Sequence, residues 1–214
     1  MASARKIVKK LNMNTIDWTE VIKYTLSIFA ILISVISATI AWKNTQKQIR
    51  VNKLEEIVTI LYNLHRMYNR MFWLLVDLQK DLDPQNQKDL EYDWNIEVKV
   101  FFESAREYMP KDSFNRLRIL ANAYLPNNNL KFRVMAIAGL YSQLFMALET
   151  KSDYIIIEKY QGKIPKPKSI SEFILLIEKD IIKEMNLGFD GMTMGLHNKY
   201  KENQFLFDIG IKEK

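Results

Sequence analysis

From Tyr24 to Trp42 the chain reads YTLSIFAILISVISATIAW, nineteen residues without a formal charge. No other feature restricts the possible folds as tightly. A helix rises about 1.5 Å per residue, so this stretch covers roughly 27 Å, close to a hydrocarbon core of about 30 Å. Tyr24 and Trp42 stand at its two ends as interfacial aromatics, with Lys23 and Lys43 directly outside them and Trp18 placed for the same interface as Tyr24. A core helix of a water-soluble protein would normally show a polar face, and this stretch has none. The expectation is a transmembrane helix over 21–43, behind a basic tail over 1–20.

A cleaved signal peptide is the competing reading. The preceding stretch is long and mixes Asp17 and Glu20 with the lysines. The apolar run also exceeds the 7 to 15 residues of a typical signal core, and no A-x-A site follows. A retained anchor fits better.

Charge supports the same reading once it is divided. Residues 1–52 hold eight basic side chains against two acidic ones, which accounts for the whole formal net charge of +6. The remaining residues carry both signs equally. A sequence pI near 9.3 would suggest nucleic acid, but the excess brackets an apolar segment, where cations meet anionic headgroups at about 1 kcal/mol each. The expected partner is therefore a lipid bilayer and not nucleic acid. Orientation is nearly balanced, with five basic residues before the segment and four after it up to Lys53. The expectation is a cytoplasmic carboxyl domain. Abundant Ile, Asn and Lys suggest a bacterial inner-membrane protein from an AT-rich genome.

Small residues follow their own rhythm inside the segment. Ser27, Ala30, Ser34, Ser37 and Ala41 are spaced 3, 4, 3, 4 and share one seam. In lipid, helix association depends on close backbone approach and on hydroxyl hydrogen bonds, and this seam offers both. The alternative is that the hydroxyls bond back to carbonyls one turn earlier. Self-association into a homo-oligomer is the favoured expectation.

A second pattern follows the polar stretch 43–53. Ile57, Leu61, Leu64, Tyr68, Met71, Leu75, Leu78 and Leu82 are spaced 4, 3, 4, 3, 4, 3, 4, with no Gly or Pro before Pro84. This predicts a long amphipathic helix within 44–83. Ile60, Met67, Phe72 and Trp73 widen its apolar surface beyond a bare coiled-coil seam and favour a bundle. The two seams differ by about 160° on one straight helix. Either the helix breaks between Lys43 and Lys53 or the seams serve different partners, and the second is expected.

Beyond the Asp83–Gln87 turn, residues 84–214 predict a helical bundle packed on that long helix. Leu90–Tyr108 permits a helix through Trp94, Val98, Phe101 and Ala105, although Trp94, Ile96, Val98 and Val100 also alternate as a strand would. Asp112 or Ser113 can cap a short helix that ends at Pro126. A longer helix starts near Leu130, and a short apolar patch lies at Tyr154–Ile157. A basic, proline-stiffened connector spans Gln161–Lys168. Ser169 and Glu172 form a capping box ahead of a run from Phe173 to Ile182, which Gly188 closes. Alternating Phe205, Phe207, Ile209 and Ile211 suggest a terminal strand or a loosely docked tail. The fold class read from all this is all-α.

Chemistry is not announced. There is no cysteine, and the two histidines, His65 and His197, have no companions at ligand or triad spacing. The acidic cluster Asp77, Asp81, Asp83, Asp89, Glu91 and Asp93 lacks the glycine and terminal glutamate of a calcium loop. No phosphate-binding glycine loop and no nucleophile motif occurs. Lys163, Lys166 and Lys168 read as a solvated loop, and Met185, Met192 and Met194 as core filler. No catalytic residue, cofactor site or metal site is expected.

The organisation is similar in outline to small one-pass bacterial membrane proteins, some associated with mobile elements or antiviral defence, and no functional residue is carried over from that likeness. The leading expectation is a non-enzymatic, membrane-anchored interaction protein with an unidentified protein partner. The runner-up is a membrane effector whose oligomerised helices disturb the bilayer when the domain senses a signal. An enzyme on an unfamiliar fold is the third reading.

Overall fold

The computed structural model describes residues 18–81, 90–108, 112–126, 129–187, 200 and 202–212. The Asp83–Gln87 turn, Leu82, Gly188, Met192, Met194, His197, part of the acidic cluster and the Trp18 side chain lie outside the described residues. Seven helices and no strand occur among those described: α1 Trp18–Asp81, α2 Leu90–Tyr108, α3 Ser113–Tyr124, α4 Asn129–Thr150, α5 Tyr154–Tyr160, α6 Pro167–Leu187 and α7 Glu202–Asp208. The chain forms two compact units, residues 1–46 and 47–214.

The first unit contributes the start of α1. Its side chains are exposed nearly throughout, including Ile28, Phe29, Ile31, Leu32 and Ile33. Helical hydrogen bonding continues through 43–53 without the break that the phase difference between the seams allowed.

The second unit is built on the rest of α1 and on α4. Of the predicted stripe, Ile57, Leu61, Leu64, Tyr68, Met71, Leu75 and Leu78 are all buried. Met67 joins them, while Ile60 and Phe72 pack at the margin. Trp73 does not: it is exposed, because the helix turns it away from the side occupied by Leu74 and Leu75. α4 is the hub, with α3, α5, α6 and α7 all packed against it. Its Leu130, Val134, Ile137, Ala138, Tyr141, Leu144 and Leu148 are buried.

In α2 the helical spacing decides the ambiguity. Trp94, Val98, Phe101 and Ala105 face inward, while Ile96 and Val100, which a strand would have kept on their face, are exposed. The Trp94 indole donates to the Leu74 carbonyl at 3.0 Å. Phe101, Phe102, Phe114 and Phe145 form an aromatic cluster joining α2, α3 and α4, edge to face except for the tilted Phe101–Phe145 pair.

Three local expectations change. α6 begins at Pro167, ahead of the Ser169/Glu172 box, and its first bond runs from the Ile170 amide to the Lys166 carbonyl at 3.2 Å. Proline has its φ preset for this first helical position, and its missing N–H is one the helix leaves unpaired anyway. Asp112 precedes α3, but its side chain makes no cap bond. The alternating terminal run is neither strand nor loose tail. Phe205 and Leu206 are buried from the two-turn helix α7 and Ile209 just beyond it, and Gly210 (φ 74°) then reverses the chain and buries Ile211. A side chain on Gly210 would meet Ser169 Oγ at 3.0 Å.

The α5–α6 connector is fastened to α1. Gln161 and Gly162 take positive φ at the end of α5. Gln79 Nε2 then donates to the Gly162 carbonyl at 3.0 Å, and the Tyr68 hydroxyl donates to the Pro165 carbonyl at 2.7 Å. Tyr68 meets Tyr141 edge to face, with ring centroids 5.4 Å apart. Burial raises the pKa of both phenols. The Tyr141 hydroxyl finds no hydrogen-bond partner among the described residues.

Those two tyrosines therefore respond oppositely to loss of the hydroxyl. Tyr68→Phe leaves a buried carbonyl unpaired and destabilises by about 1–2 kcal/mol, whereas Tyr141→Phe is neutral or stabilises by up to about 1 kcal/mol. Thermal unfolding of the full chain in detergent measures both.

Candidate functional site: the apolar helical segment and the Arg50 clamp

The segment marked out by sequence is a continuous helix and a candidate membrane span. Its most apolar 18-residue window is 0% buried. Eleven large aliphatic or Phe side chains between Val21 and Ile40 are exposed around the whole circumference. In a bilayer each is worth about 0.3–0.6 kcal/mol of insertion free energy near the centre, against about 2.5–3.5 kcal/mol lost per charge. With no charge between Tyr24 and Trp42, the sum favours lipid by several kcal/mol. Tyr24 and Trp42 are exposed at the two ends, beside exposed Lys23 and Lys43.

Four of the hydroxyl side chains within the segment bond back to their own helix. Ser27 donates to the Lys23 carbonyl at 2.9 Å and Ser34 to the Ala30 carbonyl at 2.9 Å. Thr25 and Thr39 make the same bond one turn back, at 2.7 and 2.8 Å. These hydroxyls carry no unmet donor into an apolar medium. Helix geometry brings Ser27, Ala30, Ser34, Ser37 and Ala41 into one strip about 80° wide. All five are exposed. On this strip the Ser27 and Ser34 protons are used internally, which leaves oxygen lone pairs and a low steric profile.

In the second unit, sequence reasoning missed a residue. Arg50, counted above among the flanking cations, is only 2% exposed. Its Nη2 donates to Glu184 Oε2 at 2.9 Å, and Glu184 is itself only 12% exposed. Longer contacts of 3.5 Å run from Nη1 to the Glu184 carbonyl and from Nε to the Tyr124 carbonyl. Tyr124 ends α3, and Glu184 lies in the last turn of α6. One guanidinium thus sits where two helices converge with carbonyls that have no helical partner, at the negative end of each dipole. A signal was present: continuing the Ile57 stripe backward by 3 and then 4 places Leu54 and Arg50 on the same seam.

Elsewhere the structure brings together few reactive groups. Among the described residues, no three His, Cys, Asp or Glu side chains are grouped to hold a metal ion. His65 has a buried Nδ1 without a hydrogen-bond partner among them. Glu178, with His65 close enough to offset part of the effect, has its pKa raised by burial. No family model matches the chain, and comparison with curated proteins and with solved structures likewise finds no match.

A buried ion pair with one partner removed leaves an uncompensated charge, at a loss of about 3–5 kcal/mol. Glu184→Leu in the full chain is expected to lose that much unfolding free energy in detergent. Arg50→Met combined with Glu184→Leu recovers most of the loss, because both charges then leave the interior together. A Glu184→Leu protein as stable as the parent would show that the clamp is not structural.

Proposed function

We propose that this chain is a membrane-anchored helical interaction protein that self-associates through its membrane helix. The observation that carries this reading is the uncharged, wholly unburied helix face from Tyr24 to Trp42, bounded by aromatic and basic residues. Self-association rests on the strip Ser27, Ala30, Ser34, Ser37 and Ala41, whose small side chains allow close approach of a second copy. Residues 47–214 form the interaction module, offering helical surface to a protein partner. The reading puts that module in the cytoplasm, beneath a bacterial inner membrane, where an absence of cysteines and glycosylation acceptors is no handicap.

Ser34→Leu tests the self-association directly. It is expected to convert the detergent-solubilised oligomer to monomer, as read by light scattering, while Leu32→Phe on the opposite face keeps the parent size. A monomeric parent, or an unchanged assembly in Ser34→Leu, would contradict the reading. Dye leakage from liposomes that requires the Ser27, Ser34 and Ser37 face would instead make the protein a membrane effector.

A further inference from the structure

We propose that the outward face of α1 between Tyr62 and Trp73 docks an acidic helical segment of another protein. This face belongs to the proposed interaction module, and its docking role rests on that reading. Tyr62, Arg66, Asn69 and Trp73 are spaced 4, 3, 4. On a helix that spacing places them within about 60° of one another, with Arg70 at the edge of the strip. All five side chains are exposed. They cover three turns, about 16 Å, and lie in the second unit.

The residue types are those of an interface core, where Trp, Tyr and Arg are enriched and Lys, Glu and Asp depleted. Tyr62 is 58% exposed and Trp73 56%. From Ile57 to Val76, α1 holds no lysine and no acidic residue, although 26% of the whole chain is charged. The exposed residues of α2, by contrast, include Glu97, Lys99, Glu103 and Glu107. A lone exposed tryptophan is ordinary. A tyrosine and a tryptophan bracketing two arginines, on a strip free of the usual surface charges, is not. Trp73 is also steadied: its ring meets Phe72 edge to face with centroids 5.3 Å apart, and Phe72 packs against the core. An anchor already held in place loses little freedom on binding.

Charge selects the partner. Neither Arg66 nor Arg70 makes an ion pair with a described residue. The Arg66 guanidinium lies 4.6 Å from the centroid of the Tyr108 ring, a contact that orients it and leaves its charge without a carboxylate. Once covered by a partner, each arginine needs an acceptor, and a carboxylate gripped by the guanidinium fork is the strongest one a protein offers. Copies joined in parallel through their membrane helices would set Arg66 against Arg66 if they paired through this face, and like-charge repulsion opposes that. A nucleic acid would need a longer basic track, whereas residues 53–214 carry both signs equally. The occupant that fits is a helix with Asp or Glu beside apolar side chains that cover Tyr62 and Trp73.

The probe is a fluorescein-labelled peptide of about 20 residues, long enough to be helical, with leucine on one face and glutamate on the other. It is titrated into the full chain in phosphatidylcholine nanodiscs, with empty nanodiscs as the lipid background. The same peptide with lysine in place of glutamate is the control. The expected result is saturable binding of the glutamate peptide, about tenfold or more tighter than the lysine peptide. Trp73→Ala weakens it about tenfold. Arg66→Glu combined with Arg70→Glu weakens it at least as much, about tenfold, and admits the lysine peptide instead. All three side chains are exposed, so both variants keep the circular dichroism of the parent. No saturation up to about 1 mM, equal binding of the two peptides, or a titration unchanged in both variants would overturn the proposal. A smaller assembly in Trp73→Ala would also overturn it, by giving the face to a second copy. A monomeric parent that still binds the glutamate peptide would contradict self-association and support the docking face.

Discussion

Apolar surface on a helix has to be covered, and in this chain it is covered in two different ways along one element. From Leu54 to Leu78 the apolar stripe of α1 is buried against the chain's own later helices. From Val21 to Ile40 the equivalent surface goes all round the helix and is left exposed among the described residues. Each large side chain left in water forfeits about 1.5–3 kcal/mol, so the Val21–Ile40 stretch demands a solvent other than water or a partner. The rest of the reading follows from that demand: the flanking lysines, the terminal aromatics and the internally bonded hydroxyls.

The second unit shows how a helical bundle manages charge next to such a segment. Arg50 could have been one more surface cation. Instead it lies on the buried seam of α1 and meets two helix ends that need a donor, those of α3 and α6. Burial of a guanidinium is tolerable only with this degree of compensation. The pairing is also specific, because a one-residue slip of α1 would rotate Arg50 away from Glu184 by about 100°. The arginine therefore defines the register of α1 in its bundle as well as adding to its stability.

Much of this was legible in the residues. The stripe Ile57–Leu78 announced both its helix and its buried face, because a seven-residue rhythm over six turns has no other simple explanation. Where signals were short, local rules misled. The alternation at Phe205–Ile211 resembles a strand, and the short helix followed by the Gly210 reversal explains why four of its five apolar residues turn inward. Ser169/Glu172 looked like a helix start, but Pro167 preset the backbone two residues earlier. Arg50 was missed because charge was read as a sign of exposure, although the seam passed through it. The Arg116–Glu56 ion pair between α3 and α1 was invisible, since nothing in the order of residues brings position 56 near 116.

The claim on which the account depends is that Tyr24–Trp42 resides in lipid. Alkaline carbonate washing of membranes from cells making the full chain measures this most directly. The account predicts that the protein stays with the membrane pellet and is released only by detergent. A folded, monodisperse protein recovered from the aqueous fraction without detergent would contradict it.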